Sequence, residues 1–159
     1  MRLSRHTDYA LRVLIHLAAQ PDRLASIAEI ARAYGISENH LMKVVHMLGR
    51  AGFIRTVRGR GGGIALAKPA VEIGIGDVVR HGEPDLRLAD CGECLIAPAC
   101  GLNSVLGEAL GAFLAVLDHY SLADITRNRG DLARLLGLDS DPLIAASPER
   151  GKYRDDGYS

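Results

Sequence analysis

A mainly α-helical fold with one small β-hairpin is what the 159-residue sequence predicts, and three observations carry that expectation. Apolar residues recur at helical spacing in three separate runs between residues 7 and 50. Between residues 53 and 66 the period changes to alternation around a basic, glycine-rich centre. A single long helical pattern then occupies residues 102–120.

The first helix is expected over residues 7–19, where Ala10, Val13, Leu14, Leu17 and Ala18 share a face and Thr7 stands where a cap belongs. Gln20-Pro21-Asp22 ends it. The second helix opens on Ser26-Ile27-Ala28-Glu29, which reads as a capping box in which Ser26 and Glu29 each satisfy a free amide. Ile27, Ile30 and Ala31 supply its apolar face. Gly35 then offers the positive φ that a sharp inter-helix turn needs, and Ser37 caps the third helix. There Leu41, Val44, Val45 and Leu48 form the inward stripe, leaving Glu38, Asn39, His40 and Lys43 outward. Two helices joined by a short glycine turn, the second presenting polar and basic side chains near its start, follow the plan of a helix-turn-helix reader.

Ile54 and Thr56, then Ile64 and Leu66, alternate on either side of Arg58-Gly59-Arg60-Gly61-Gly62-Gly63. Two short strands with a flexible basic tip make the wing of a winged helix-turn-helix, in which backbone amides at glycines such as Gly61 approach phosphates while Arg58 and Arg60 neutralise charge. A nucleotide-binding loop is excluded, because no Gly-Lys-Ser/Thr follows and no helix starts at the glycines.

A short helix is expected within residues 73–81, followed by a polar stretch over 82–90 and a loop holding all three cysteines. In the long helix Leu102, Leu106, Ala109, Phe113, Val116 and Tyr120 keep the alternating spacing of a coiled-coil seam, and Val105, Leu110, Leu114 and Leu117 make a second stripe. One stripe is expected to meet a second copy of the chain. The alternative is that residues 122–138 fold back over it. The resulting division is a DNA-binding domain at 1–70, a connecting helix and cysteine loop at 71–101, a dimerisation helix with a C-terminal helical segment at 102–138, and a polar tail at 139–159 expected to be disordered.

The formal net charge is zero, but it is unevenly spread. Residues 1–70 hold eleven Lys and Arg against four Asp and Glu, so the front is basic and the rest acidic. That asymmetry points to a polyanion partner for the front half. No apolar run reaches the ~18 residues of a membrane span, and the start lacks the apolar stretch of a secretion signal. A cytoplasmic protein without a membrane partner is therefore expected. No nucleophile stands beside a recognisable base, so a catalytic role is not expected.

Cys91, Cys94 and Cys100 form a Cys-x2-Cys-x5-Cys array. An odd, clustered set of thiols in a reducing compartment reads as metal-binding or reactive rather than disulfide-forming. Three thiolates suit an iron-sulfur cluster or zinc, and spacing alone leaves both open beside plain reactive thiols. Structural zinc wants four protein ligands, whereas a fourth cysteine is missing. Glu93, Asp90 and His81 are the nearby substitutes, with Asp8 and the other histidines farther off. An electron-carrying or enzyme subunit would also hold such a cluster, but it leaves the basic wing without a purpose.

Taken in order, Thr7-Asp8-Tyr9-Ala10-Leu11-Arg12, residues 37–45, residues 57–64, Ile75-Gly76-Asp77-Val78-Val79 and the three cysteines resemble the iron-sulfur winged-helix transcription regulators. Residues 39–45 and 117–124 look most like the nitric-oxide-sensing repressors of that family. The resemblance implies a homodimer on a palindromic duplex, with Asn39 and His40 at base edges and Ser37, Lys43, Arg58 and Arg60 at phosphates. It further implies a cluster, of the 4Fe-4S type with 2Fe-2S as the alternative, held by Cys91, Cys94 and Cys100, with a fourth ligand at Asp8 of the other subunit. Nitric oxide would be the signal, with iron supply or oxidation as the rival signals and a zinc-stabilised regulator as the third option. The position three after the last cysteine, a histidine ligand in one branch of the family, is Asn103 here. That branch's ligand set is not implied.

Overall fold

The computed structural model describes residues 2–138, so the tail over 139–159 lies outside the described residues. Helix α1 (Arg5–Ala19) starts earlier than the apolar spacing suggests, because Ser4 is its cap: the Ser4 Oγ accepts from the Thr7 N–H at 3.2 Å. Thr7, expected as the cap, is instead fully buried with its hydroxyl 3.2 Å from that of Ser4. Helix α2 (Ile27–Tyr34) is capped by Ser26, whose Oγ accepts from the Glu29 N–H at 3.1 Å. The reciprocal half of the expected capping box is absent, since the Glu29 carboxylate turns to Arg23 at 2.5 Å. A guanidinium offers it a charged partner, which is the stronger hydrogen bond.

Gly35 adopts φ +65° after α2, as the turn requires, and Ser37 caps helix α3 (Glu38–Arg50). Strands β1 (Ile54–Val57) and β2 (Gly63–Leu66) pair antiparallel in the register Ile54 to Leu66 through Val57 to Gly63. Ala25 adds a third edge by exchanging two backbone hydrogen bonds with Ile64, at 3.0 and 2.8 Å. The wing is thereby tied to the helices it serves.

One core holds these parts together. Leu14 and Leu17 from α1, Ile30 from α2, Leu41 and Leu48 from α3, and Ile64 from β2 are all essentially buried in it. Val45, expected in this stripe, is only half-buried against it. Helix α4 (Ile75–Gly82) adds Val78 and packs on α1.

Helix α5 (Leu102–Asp118) stops two residues short of the expected Tyr120. It leans on α4, where Arg80 clasps Asp118 through two hydrogen bonds of 2.6 Å. None of its residues is fully buried. The exposures also redraw the expected stripes: Leu106, Leu110, Phe113, Leu114 and Leu117 are half-buried, whereas Leu102, Val105, Ala109, Ala112 and Val116 lie exposed. The exposed set advances in alternating steps of three and four, the coiled-coil period. Residues 122–138 do not cover it. They form α6 (Leu122–Ile125), against the turn at Ala70–Glu72, and α7 (Arg129–Leu135), against α1.

His16 is buried in this core, and neither ring nitrogen has a hydrogen-bond partner; the Glu29 Oε1 lies 3.8 Å away. Burial lowers its pKa below 6.5 despite Glu29, so the ring is held neutral. The unfolded chain therefore takes up a proton at a higher pH than the folded one, and stability is lost as pH falls below about 6.5. Asp85 and Asp124, each held at about 2 by hydrogen bonds chiefly from Arg87 and Ser121, act only at lower pH. Urea midpoints are expected to fall between pH 7 and pH 5 in the wild type and to change much less in His16→Leu. Equal slopes in the two proteins would refute the assignment.

Candidate nucleic-acid interface and metal centre

The cap that starts α3 also orients its outward side chains. Ser37 accepts from the His40 N–H at 3.3 Å, which leaves its hydroxyl hydrogen free to donate outward. Asn39, His40 and Lys43 are exposed on the first turns of the helix. Met42 joins them, half-exposed, although its apolar type concealed it in the sequence. An exposed apolar residue on a reading helix suits the methyl group of thymine.

At the wing, Arg58, Arg60 and Gly61 are exposed between the two strands. The tip closes with the Gly62 N–H donating to the Gly59 carbonyl at 3.0 Å, and Gly61 takes φ +74°. A Cβ on Gly62 would stand 2.2 Å from the Val57 carbonyl oxygen, so no larger residue fits this turn. Among the described residues, Arg5, Lys43, Arg58 and Arg60 enter none of the ion pairs. Their charge is thus available to a polyanion, unlike that of Arg12, Arg23, Arg80 or Arg87.

The cysteine loop is a succession of tight turns. The Cys94 N–H donates to the Cys91 carbonyl at 3.4 Å, the Ala97 N–H to Cys94 at 3.0 Å, and the Cys100 N–H to Ala97 at 3.4 Å. All three thiols are free, Cys94 exposed and the other two half-buried. Leu95 and Ile96 between them are exposed as well, so the loop is not anchored in the core. Three soft donors on one short, unanchored loop match an iron-sulfur cluster by ligand type. The structure does not gather the three thiols into one site: among the described residues, no three His, Cys, Asp or Glu side chains converge as a metal site.

Two of the three nearby substitutes are otherwise engaged. Asp90 accepts from the Gly92 N–H at 3.3 Å and lies 3.8 Å from Arg87. His81 sits 2.8 Å from the Asp77 carbonyl through Nδ1 and stands edge-on to Phe53. Glu93 is exposed without a partner among the described residues. Asp8 pairs with Arg12 at 3.0 Å and lines a cleft of about 840 Å³ on the surface of α1, with Leu3, Tyr34 and Ile36 among its walls. No cysteine of the same chain lines that cleft.

No helix among the described residues is long and apolar enough to cross a membrane. A family model described as Rrf2, an iron-dependent transcriptional regulator, matches residues 3–128. The chain is 51% identical over 144 residues to the HTH-type transcriptional regulator NsrR of Bacillus subtilis (strain 168), covering 87% of this chain and 99% of that one. It is 48% identical over 142 residues to NsrR of Shouchella clausii (strain KSM-K16), covering 86% and 95%. Among solved structures it resembles CymR, the global cysteine regulator of B. subtilis, with a TM-score of 0.68 at 26% identity over 80% of this chain and 97% of that one. T. potens IscR also gives a TM-score of 0.68 at 26% identity, over 83% and 90%.

Proposed function

Because the chain belongs to the Rrf2 family of iron-dependent transcriptional regulators, we propose that it is a homodimeric repressor that releases DNA when nitric oxide reaches an iron-sulfur cluster. It is a winged-helix transcriptional regulator. One observation carries the reading: three free thiols share a single loop, while Asp8 lines an open cleft on α1 that no cysteine of its own chain lines.

Cys91, Cys94 and Cys100 of one subunit would hold the cluster, with Asp8 of the partner subunit as the fourth ligand. The cluster would supply iron that is open to nitric oxide where a harder carboxylate replaces thiolate. The chain's own parts do the rest. Pro98 and the turn at Ala97–Ala99 set the path to the third thiol. Asp8 has two possible partners, the loop of the other subunit and Arg12 of its own helix, and the 3.0 Å pair is the second of these. Helix α1 packs directly on α3, so a change of partner at Asp8 is felt at the reading helix. There Asn39 and His40 would meet base edges in the major groove, with Ser37, Lys43, Arg58, Arg60 and the Gly61 amide on the flanking phosphates. The exposed stripe of α5 would join the two subunits, which spaces the reading helices for a palindromic duplex.

The test uses anaerobically prepared protein and a duplex that this protein itself selects from a random pool. Nitric oxide is expected to bleach the visible absorption and weaken binding in parallel, by about 5- to 150-fold, the span of ordinary two-state couplings. Bleaching with unchanged affinity would defeat the proposal. A response to iron chelation or oxidation, but not to nitric oxide, would move the protein to another branch of the family.

A further inference from the structure

Beside the reading helix lies a small pocket of about 150 Å³, lined by Arg5, His6 and Tyr9 from α1 and by His40 and Lys43 from α3. We propose that this pocket binds one backbone phosphate of the bound duplex, so that α1 itself grips the DNA. The inference rests on the DNA-reading role of α3 and extends it to residues that role did not include.

Four nitrogen-bearing side chains surround the pocket, and no acid lines it. Arg5 and Lys43 enter no ion pair among the described residues. A concave site of one sign focuses its potential on an oxyanion, and an arginine fork fits phosphate geometry. Tyr9 closes the wall, its ring 6.4 Å from that of His40 and tilted by 40°. A phosphate seated here would be adjacent to the helix that enters the major groove, where flanking backbone contacts set register.

The position has a second consequence. Arg5 and Tyr9 also line the cleft that contains Asp8, so these two residues form the ridge between that cleft and the phosphate pocket. A movement of α1 that serves Asp8 therefore displaces a DNA contact directly, without passing through the core.

The experiment measures salt-dependent binding of the full-length dimer to the duplex selected from a random pool. Arg5→Ala is expected to reduce the steepness of log K against log salt by about 1.8, one phosphate in each subunit. The loss should be nearly equal across duplexes with single base changes, and Arg5→Lys should restore the slope. Visible absorption should stay as in the wild type. An unchanged slope in Arg5→Ala would overturn the proposal while leaving the DNA-reading role intact, whereas failure of the wild type to select any duplex would overturn both. A loss confined to one base position would make Arg5 a base reader, and a loss of colour would make it a support of the cluster; either overturns the proposal. At constant ionic strength, any competition by inorganic phosphate in the wild type should be lost in Arg5→Ala, and competition that is the same in both proteins would overturn the proposal.

Discussion

Cys94→Ser protein purified without air is expected to emerge colourless and nearly free of iron, and to lose about 1,000-fold in affinity for its selected duplex. That figure is the low end of the gap between specific and non-specific binding. A serine oxygen is a harder and much poorer ligand for iron-sulfur iron than a thiolate. Cys94 is also the most exposed of the three thiols, and its exposed neighbours Leu95 and Ile96 contribute nothing to the core. Its replacement should therefore leave the melting temperature of the winged helix close to that of cluster-free wild type. The residual binding should keep a salt dependence, because Lys43, Arg58 and Arg60 are untouched. A colourless variant that still binds with full affinity would separate the metal from DNA recognition. A variant that fails to fold would instead make Cys94 a structural residue, which its exposure argues against.

The second large effect is expected at α5. Val105 and Val116 are 61% and 59% exposed, on a helix whose exposed residues follow a coiled-coil step. Changing both to Glu places like charges into the proposed dimer seam, where each would face an apolar surface or its own copy. The sedimenting mass should fall from twice 17.0 kDa to 17.0 kDa. Binding to a palindromic duplex should weaken by about 100- to 10,000-fold, as two linked sites become two separate ones. On the proposed ligand set colour should fade as well, because a lone subunit lacks Asp8 of its partner. A double variant that stays dimeric would place the interface elsewhere. One that is monomeric yet fully coloured would remove Asp8 from the ligand set.

The winged helix was legible because its signals are local. Ser26 and Ser37 accept from the amides that spacing assigns them, Gly35 takes the required positive φ, and the strands flank the glycine tip as their alternation predicts. Local signals failed where tertiary packing decided. Thr7 looked like a cap but is drawn into the core, leaving Ser4 to cap α1. Glu29 fitted a capping box but found a guanidinium. On α5 both stripes are apolar, so spacing alone could not say which would face α4 and which would stay exposed.

The site divides in the same way. The types and spacing of Cys91, Cys94 and Cys100 were visible at once, as was the basic wing. That Asp8 stands in a cleft apart from its own cysteine loop depends on the packing of α1, which no residue pattern encodes. Arg5 and Tyr9 were missed as neighbours of His40 because that adjacency arises only when α1 crosses α3.

The most direct test of the central claim is one anaerobic preparation analysed for iron, acid-labile sulfide and DNA affinity, first as isolated and again after the metal is chelated away. Iron and sulfide in equal amounts, with a clear loss of affinity on chelation, is the expected result. Protein that carries neither, or carries zinc alone, and binds the selected duplex equally tightly before and after would contradict it.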